Sequence, residues 1–264
     1  MFQPVVPIGG LAGWAFLQDT LARQTEAFDK SPVLTRDTEY FEANISQIRS
    51  AEDLVSDRRL LRVALGAFGL QDDLNSRFLI RRILEEGTGE DALATRLTDE
   101  RYTKLADAFG FDDAVPRTQE LGFGAEIVAK YRAREFEIAI GNQDEAMRLA
   151  LNADRELAEM AVSDDSDETR WFQIMGTPPL RQVFETVLGL PDGFGQLDID
   201  RQLDIFQEKS RTRLGLDSLN DLADDDVRQE LIRTYLLRDQ IKSVSVVSSM
   251  SIALTLLQSS QSQT

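Results

Sequence analysis

Apolar residues along most of this chain return every three or four positions, the spacing of one buried face of an α-helix. In LAGWAFLQDTLARQTEAFD, Leu11, Trp14, Leu17, Leu21 and Phe28 fall near one stripe. GNQDEAMRLALNADRELAEMAVSD repeats the pattern with Met147, Leu151, Leu157 and Met160. Start signals divide the pattern into segments. SPVL and TPPL put Ser31 and Thr177 before a proline at the first helical position, where the missing N–H loses nothing. Ser50 and Asp53 fit a capping box. DDDV sets three aspartates in a first turn, where they complement the helix dipole. KSVSVVSS alternates somewhat, but an isolated strand has nothing to pair with. The pattern predicts an all-α fold, an irregular multi-helix domain of about ten helices.

Stop signals are as regular. AFGLQDD at 67–73 and AFGFDDA at 108–114 are nearly the same phrase. In each, a glycine follows the last helical residue, because the left-handed backbone there is open to glycine and strained for other residues. Gly69, Gly110 and Gly189 are the expected helix-stop glycines, with a weaker copy at Gly215. Leu70, Phe111 and Leu190 would fold back on the last turn. Asp72 or Asp73, Asp112 or Asp113, and Asp192 would cap the next helix. Phe68 and Phe109 lie 41 residues apart, and Phe109 and Leu188 lie 79 apart, nearly twice that. This spacing suggests a weak internal duplication near a 40-residue period, although little outside the punctuation is shared.

Two changes of composition divide the chain. SDDSDET (163–169) reads as an acidic linker between an N-terminal helical region (1–162) and a C-terminal one (170–242), within one compact domain. From Ser243 to Thr264 there is no charged residue in 22 positions. Within this tail Val247, Met250, Leu254 and Leu257 follow a three-four-three spacing, a coiled-coil-like interaction seam. It either packs on its own domain or buries the seam against another chain. Residues 1–18 are also uncharged.

Charge narrows the partners. Forty-six acidic residues against twenty-nine basic ones leave a formal net charge of −17. Nucleic-acid binding needs Lys and Arg to displace counterions, so this field opposes it. No run of eighteen apolar residues exists, so no membrane insertion is expected. The opening twenty residues have no basic region and are broken by Pro4 and Pro7, unlike a secretory signal.

The chain has no Cys and no His. That removes Ser-His-Asp and Cys-His catalysis, His- or Cys-ligated zinc and the usual near-neutral proton shuttle. Carboxylate, Lys and Tyr chemistry survive. GFGAEI (122–127) imitates a glycine-rich phosphate loop, but lacks a preceding strand and the P-loop lysine. DDSDE (164–168) lacks the loop glycine and distal glutamate of an EF-hand. Basic residues in RRLLRVALGAF and RYTKLADAF most simply pair with the acidic surplus. Trp14 and Trp171 read as core anchors. No catalytic, cofactor or metal set emerges, and no enzyme activity is expected.

DRRLLRVALGAFGL, RFLIRRILEEG and LTDERYTKLADAFGF, in that order, resemble a family of helical proteins of unknown function from alphaproteobacteria, often encoded within flagellar gene clusters. FQPVVPIGGLAGWAFLQDTL and ALNADRELAE resemble its members too. The resemblance implies a flagellum-associated structural or assembly protein acting through helix–helix contacts with protein partners. The alternative is a cytoplasmic export chaperone or regulator that binds a helical terminus of a flagellar protein.

Overall fold

The computed structural model describes residues 2–191 and 193–261, and for residues 244–261 only the helical backbone. Thirteen α-helices make up the described part, eleven of them seven residues or longer, and no strand occurs among the described residues. They are α1 (Gly10–Asp29), α2 (Pro32–Asn44), α3 (Ala51–Ser56), α4 (Arg58–Ala67), α5 (Arg77–Glu86), α6 (Leu93–Arg96) and α7 (Glu100–Phe109). After these come α8 (Phe123–Gly141), α9 (Glu145–Ala161), α10 (Asp167–Gly176), α11 (Pro178–Val187), α12 (Ile199–Leu214) and α13 (Asp225–Gln261). Without α3 and α6, six and four residues long and too short to show a hydrophobic period, eleven helices remain against the expected ten.

The helix starts explain where the acidic surplus goes. Asp57, Asp99, Asp144 and Asp198 each accept a backbone N–H in the first turn of the helix that follows. Asp224 does the same for Asp226 N–H at 2.9 Å. Ser50 and Asp53 form the reciprocal capping box of α3. Ser31 and Thr177 do occupy the capping positions of α2 and α11, yet neither hydroxyl caps. Both are buried without a hydrogen-bond partner, so the proline behind each sets the helix start.

Two of the expected starts differ. Residues 71–75 form a 3₁₀ turn, and α5 begins only at Arg77. Asp73 accepts the Tyr102 hydroxyl at 2.8 Å instead of capping a helix. Asp112 and Asp113 precede a loop and a short 3₁₀ turn at Arg117–Gln119, so no helix begins on them. Asp192 lies outside the described residues. The stretch 163–169 is not linker throughout: α10 opens at Asp167, capped by Ser166. Asp167 Oδ1 then accepts Leu219 N–H (2.8 Å) and the Ser218 hydroxyl (3.0 Å), joining α10 to a distant turn.

One hydrophobic core runs from Trp14 to Leu236 and passes across the acidic stretch. Its centre is α9, packed between α8 on one side and α11 and α13 on the other. Helix α4 lies between α2 and α8, and every residue from Val63 to Phe68 is buried. Ile83, Ala94 and Ala106 form a small satellite core under α5, α6 and α7.

Candidate functional site

The charge-poor start of the chain meets the charged first half of α13. Helix α1 packs on α13, with the Trp14 indole N–H donating to Gln229 Oε1 at 3.0 Å. Gln229 Nε2 donates in turn to Asp154 Oδ1 on α9 (3.3 Å), which also holds Arg228 at 3.3 Å. Burial raises the Asp154 pKa, and Asp225 adds to the rise, while Arg228 opposes it. Further along α13, Gln240 lies against Gly10; a Cβ on that glycine would sit 2.9 Å from Gln240 Oε1. Trp14 and Leu17 are buried at this junction, but Leu11 and Leu237, beside the Gly10–Gln240 contact, are 36% and 45% exposed. The junction therefore joins a buried anchor to an apolar rim open to solvent.

The rim leads into the uncharged segment, because α13 continues unbroken to Gln261. Val247, Met250, Leu254 and Leu257 fall on this continuation, and their side chains lie outside the described residues.

The helix-stop glycines share one conformation. Gly69, Gly110 and Gly189 have φ of +72°, +54° and +57°. At Gly69 the stop is a Schellman motif: Leu70 N–H donates to Leu65 O (2.9 Å) and Gly69 N–H to Gly66 O (3.1 Å). Gly189 repeats it, with Leu190 N–H on Glu185 O and Gly189 N–H on Thr186 O. Gly110 uses a single bond to Ala106 O. Arginines cover the freed carbonyls. Arg134 donates to Ala67 O (2.9 Å), Arg101 to Gly69 O, and Arg213 to Leu188 O (2.6 Å). These cations also face the negative end of the helix dipole.

Arg134 belongs as well to a buried ion network that sequence reading did not single out. Glu156 on α9 pairs with Arg134 from α8, Lys104 from α7 (3.0 Å) and its neighbour Arg155 (3.4 Å). Glu137 accepts from Arg155 Nε (2.8 Å) and from Asn152 (3.2 Å). Burial would raise the Glu156 pKa, but the three cations outweigh it and hold the carboxyl at about 2. Burial pulls Arg134 down, with neighbouring Arg155 adding to the fall. The network separates two surface clefts of about 410 and 390 Å³, and Arg134 lines both. Both clefts are lined by acids and bases, and the pairs of Glu156 and Glu137 among them tie α7, α8 and α9 together. A sequence signal exists for it: Asn152 and Glu156 interrupt the apolar stripe of Leu149, Ala153 and Met160 on α9.

Among the described residues no cluster of acids has metal-binding geometry, and no helix is long and apolar enough to cross a membrane. The family described as "Protein of unknown function (DUF1217)" matches residues 67–247. The chain belongs to this family. The DUF1217 match takes in all four glycine stops, the ion network and the first part of α13. A crystal structure of a protein from Agrobacterium tumefaciens is similar at TM-score 0.74 and 22% identity, over 91% of this chain and 99% of that one. At that identity the likeness shows the fold. No curated protein matches the DUF1217 chain.

Proposed function

We propose that this DUF1217 protein is a non-enzymatic, flagellum-associated structural or assembly protein that acts through helix–helix contacts with other proteins. The observation that carries the reading is the junction of α1 with α13, which leaves Leu11 and Leu237 exposed where α13 leads into its uncharged continuation. On a chain of net charge −17, exposed apolar residues are where another protein can approach at the least cost in desolvated ions. The flagellar assignment itself rests on the resemblance of the 50–115 phrases to a family linked with flagellar gene clusters.

The alternative, an export chaperone, has one feature in its favour: a groove of about 310 Å³ between α12 and α13, with Leu214, Leu216, Val227 and Leu231 in its lining beside Arg213, Asp226, Glu230 and Thr234. Such a groove can receive the apolar face of a partner helix. Fractionation of a flagellated alphaproteobacterium separates the two readings. Recovery with purified basal bodies supports the structural role. A cytosolic one-to-one complex with a flagellar subunit supports the chaperone. A cytosolic protein with no flagellar partner refutes both.

A further inference from the structure

Two of the helix stops are built alike around a pair of arginines. At Gly69, past the end of α4, Arg134 Nη1 and Arg101 Nη1 lie 3.0 and 3.6 Å from the place a Cβ would take. At Gly189, past the end of α11, Arg238 Nη1 from α13 and Arg213 Nη1 from α12 lie 2.7 and 2.9 Å from the corresponding place. Each stop is a Schellman motif closed by a leucine, Leu70 or Leu190, and in each an arginine donates to a freed carbonyl. Two guanidinium groups therefore converge on one spot at both stops.

The two pairs differ in their counter-ions. Arg101 is held by Asp99 at 2.6 Å and Arg134 by Glu156, so each cation at Gly69 has a carboxylate. Among the described residues, neither Arg213 nor Arg238 makes an ion pair. Arg213 donates only to Leu188 O (2.6 Å), and Arg238 makes no hydrogen bond. The acids nearby are committed elsewhere. Glu185 pairs with Arg181 at 2.7 Å. Burial, with Asp144 adding, raises the Asp239 pKa, and the cation that opposes the rise is Lys242. One cation at a helix end is accounted for by the dipole and the freed carbonyls; a second beside it is not. The chain has forty-six acidic residues, yet this pair is left without one.

We infer that Arg213 and Arg238 receive a carboxylate from an acidic segment of a protein partner, the intermolecular counterpart of Asp99 and Glu156 at the first stop. Three features point to that occupant. The fold itself shows at Gly69 what such a pair takes, and planar guanidinium groups match a carboxylate in geometry as well as charge. A cleft of about 980 Å³ between α11 and α13, with Gln182, Thr186, Gly189, Leu190 and Arg238 in its lining, lets a side chain enter from solvent. Leu237 and Ile241, on either side of Arg238 along α13, are exposed, so apolar residues beside the partner's acid find contact there. The negative end of α11 opposes an anion, so both arginines are needed to hold it. The inference rests on the protein-partner part of the reading above and not on the flagellar assignment.

The test is titration of the full chain with a terminally blocked peptide bearing glutamates and leucines on one helical face, followed by arginine side-chain N–H signals in NMR. The expected result is a saturable shift confined to Arg213 and Arg238. Arg238→Gln, or glutamine in place of the peptide's glutamates, should weaken binding about tenfold or more. Arg238 makes no hydrogen bond or ion pair in the fold, so Arg238→Gln should keep or raise the melting temperature; a clear fall makes it a structural cap and overturns the inference. No saturable shift, or equal shifts at many arginines, also overturns it. So does inorganic phosphate that binds more tightly than the peptide, because the site then takes a free anion. A peptide that binds only after Asp192→Asn means that the chain supplies its own carboxylate, which overturns it too. Peptide binding at this pair with no flagellar partner on fractionation keeps the inference and refutes the flagellar reading; a recovered flagellar partner with no peptide shift does the reverse.

Discussion

Trp14 on the first helix donates its indole N–H to Oε1 of Gln229 on the last, 3.0 Å away and 215 residues along the chain. The same glutamine amide donates to Asp154, so one side chain fixes α1 and α13 on α9. Trp14→Phe keeps most of the buried ring but removes the donor and leaves Gln229 Oε1 unpaired. The expected loss is about 1–2 kcal/mol, read as a lower urea midpoint at unchanged slope. An unshifted midpoint would mean that apolar packing alone holds the two ends together.

Glu156 neutralises three cations on three helices. Glu156→Gln keeps the shape and removes the charge, leaving Arg134 buried beside Arg155 without its counter-ion. Breaking a buried pair in this way costs about 3–5 kcal/mol. Lys104→Met should cost less, because Lys104 is partly open to water. Chemical denaturation of the two variants checks the order; equal effects would mean that the network is not centred on Glu156.

Acid titration carries its own signature. The Glu156 pKa is about 2 in the folded chain against 4.5 for a free glutamate. A depressed pKa stabilises the fold above the unfolded value, and the gain, on the order of 3 kcal/mol, is lost as pH falls from 4.5 through about 2. Asp154, Glu135 and Glu100 are raised, chiefly by burial. Their sign is opposite: the fold gains stability as pH falls through their raised values. With no histidine to titrate, melting temperature should stay nearly level around neutrality, rise on the mildly acid side, and fall steeply below about pH 4.5. A steady decline from pH 7 downward would contradict these assignments.

Gly69→Ala tests the helix stop. A side chain at φ +72° is strained, and its Cβ would sit 3.0 Å from Arg134 Nη1. The arginine end can shift, so the backbone penalty dominates at about 1–2 kcal/mol. Thermal melts of Gly69→Ala and Gly122→Ala compare the two parts. Gly122 has φ +89° and open space around its Cβ position, so it reports strain without any effect on an arginine.

How far the sequence could be read follows from which interactions are local. Gly69, Gly189 and the Ser50–Asp53 box were legible because each motif closes within six residues of chain. Asp73 and Asp112 were misread as caps because nothing nearby states whether a helix follows; Asp73 is engaged by Tyr102, 29 residues on. The ion network was illegible for the same reason. Lys104 and Glu156 are 52 residues apart, and sequence shows which face each occupies but not which faces meet. Trp14 was placed in the core, while its partner Gln229 carried no signal. The hold of Gln24 and Gln143 on the main chain of residues 4–6 was missed because two glutamines reading a main chain leave no pattern in it.

The uncharged end of α13 gives the sharpest test of the assembly reading. The described core takes its last α13 side chains at Tyr235 and Leu236, while residues 241–243 are exposed. Deleting 243–264 therefore removes no side chain that the described core uses, and the melting temperature should change little. Binding is another matter. Val247, Met250, Leu254 and Leu257 would each contribute roughly 2 kcal/mol of apolar burial against a partner, enough for four of them to decide whether a complex holds. Deletion should thus abolish partner binding by pull-down while leaving the fold intact. If the deleted chain instead melts far below the full one, the segment docks into its own domain and the assembly reading fails. A shortened chain that melts normally and still binds would move the interface back to the Leu11–Leu237 rim.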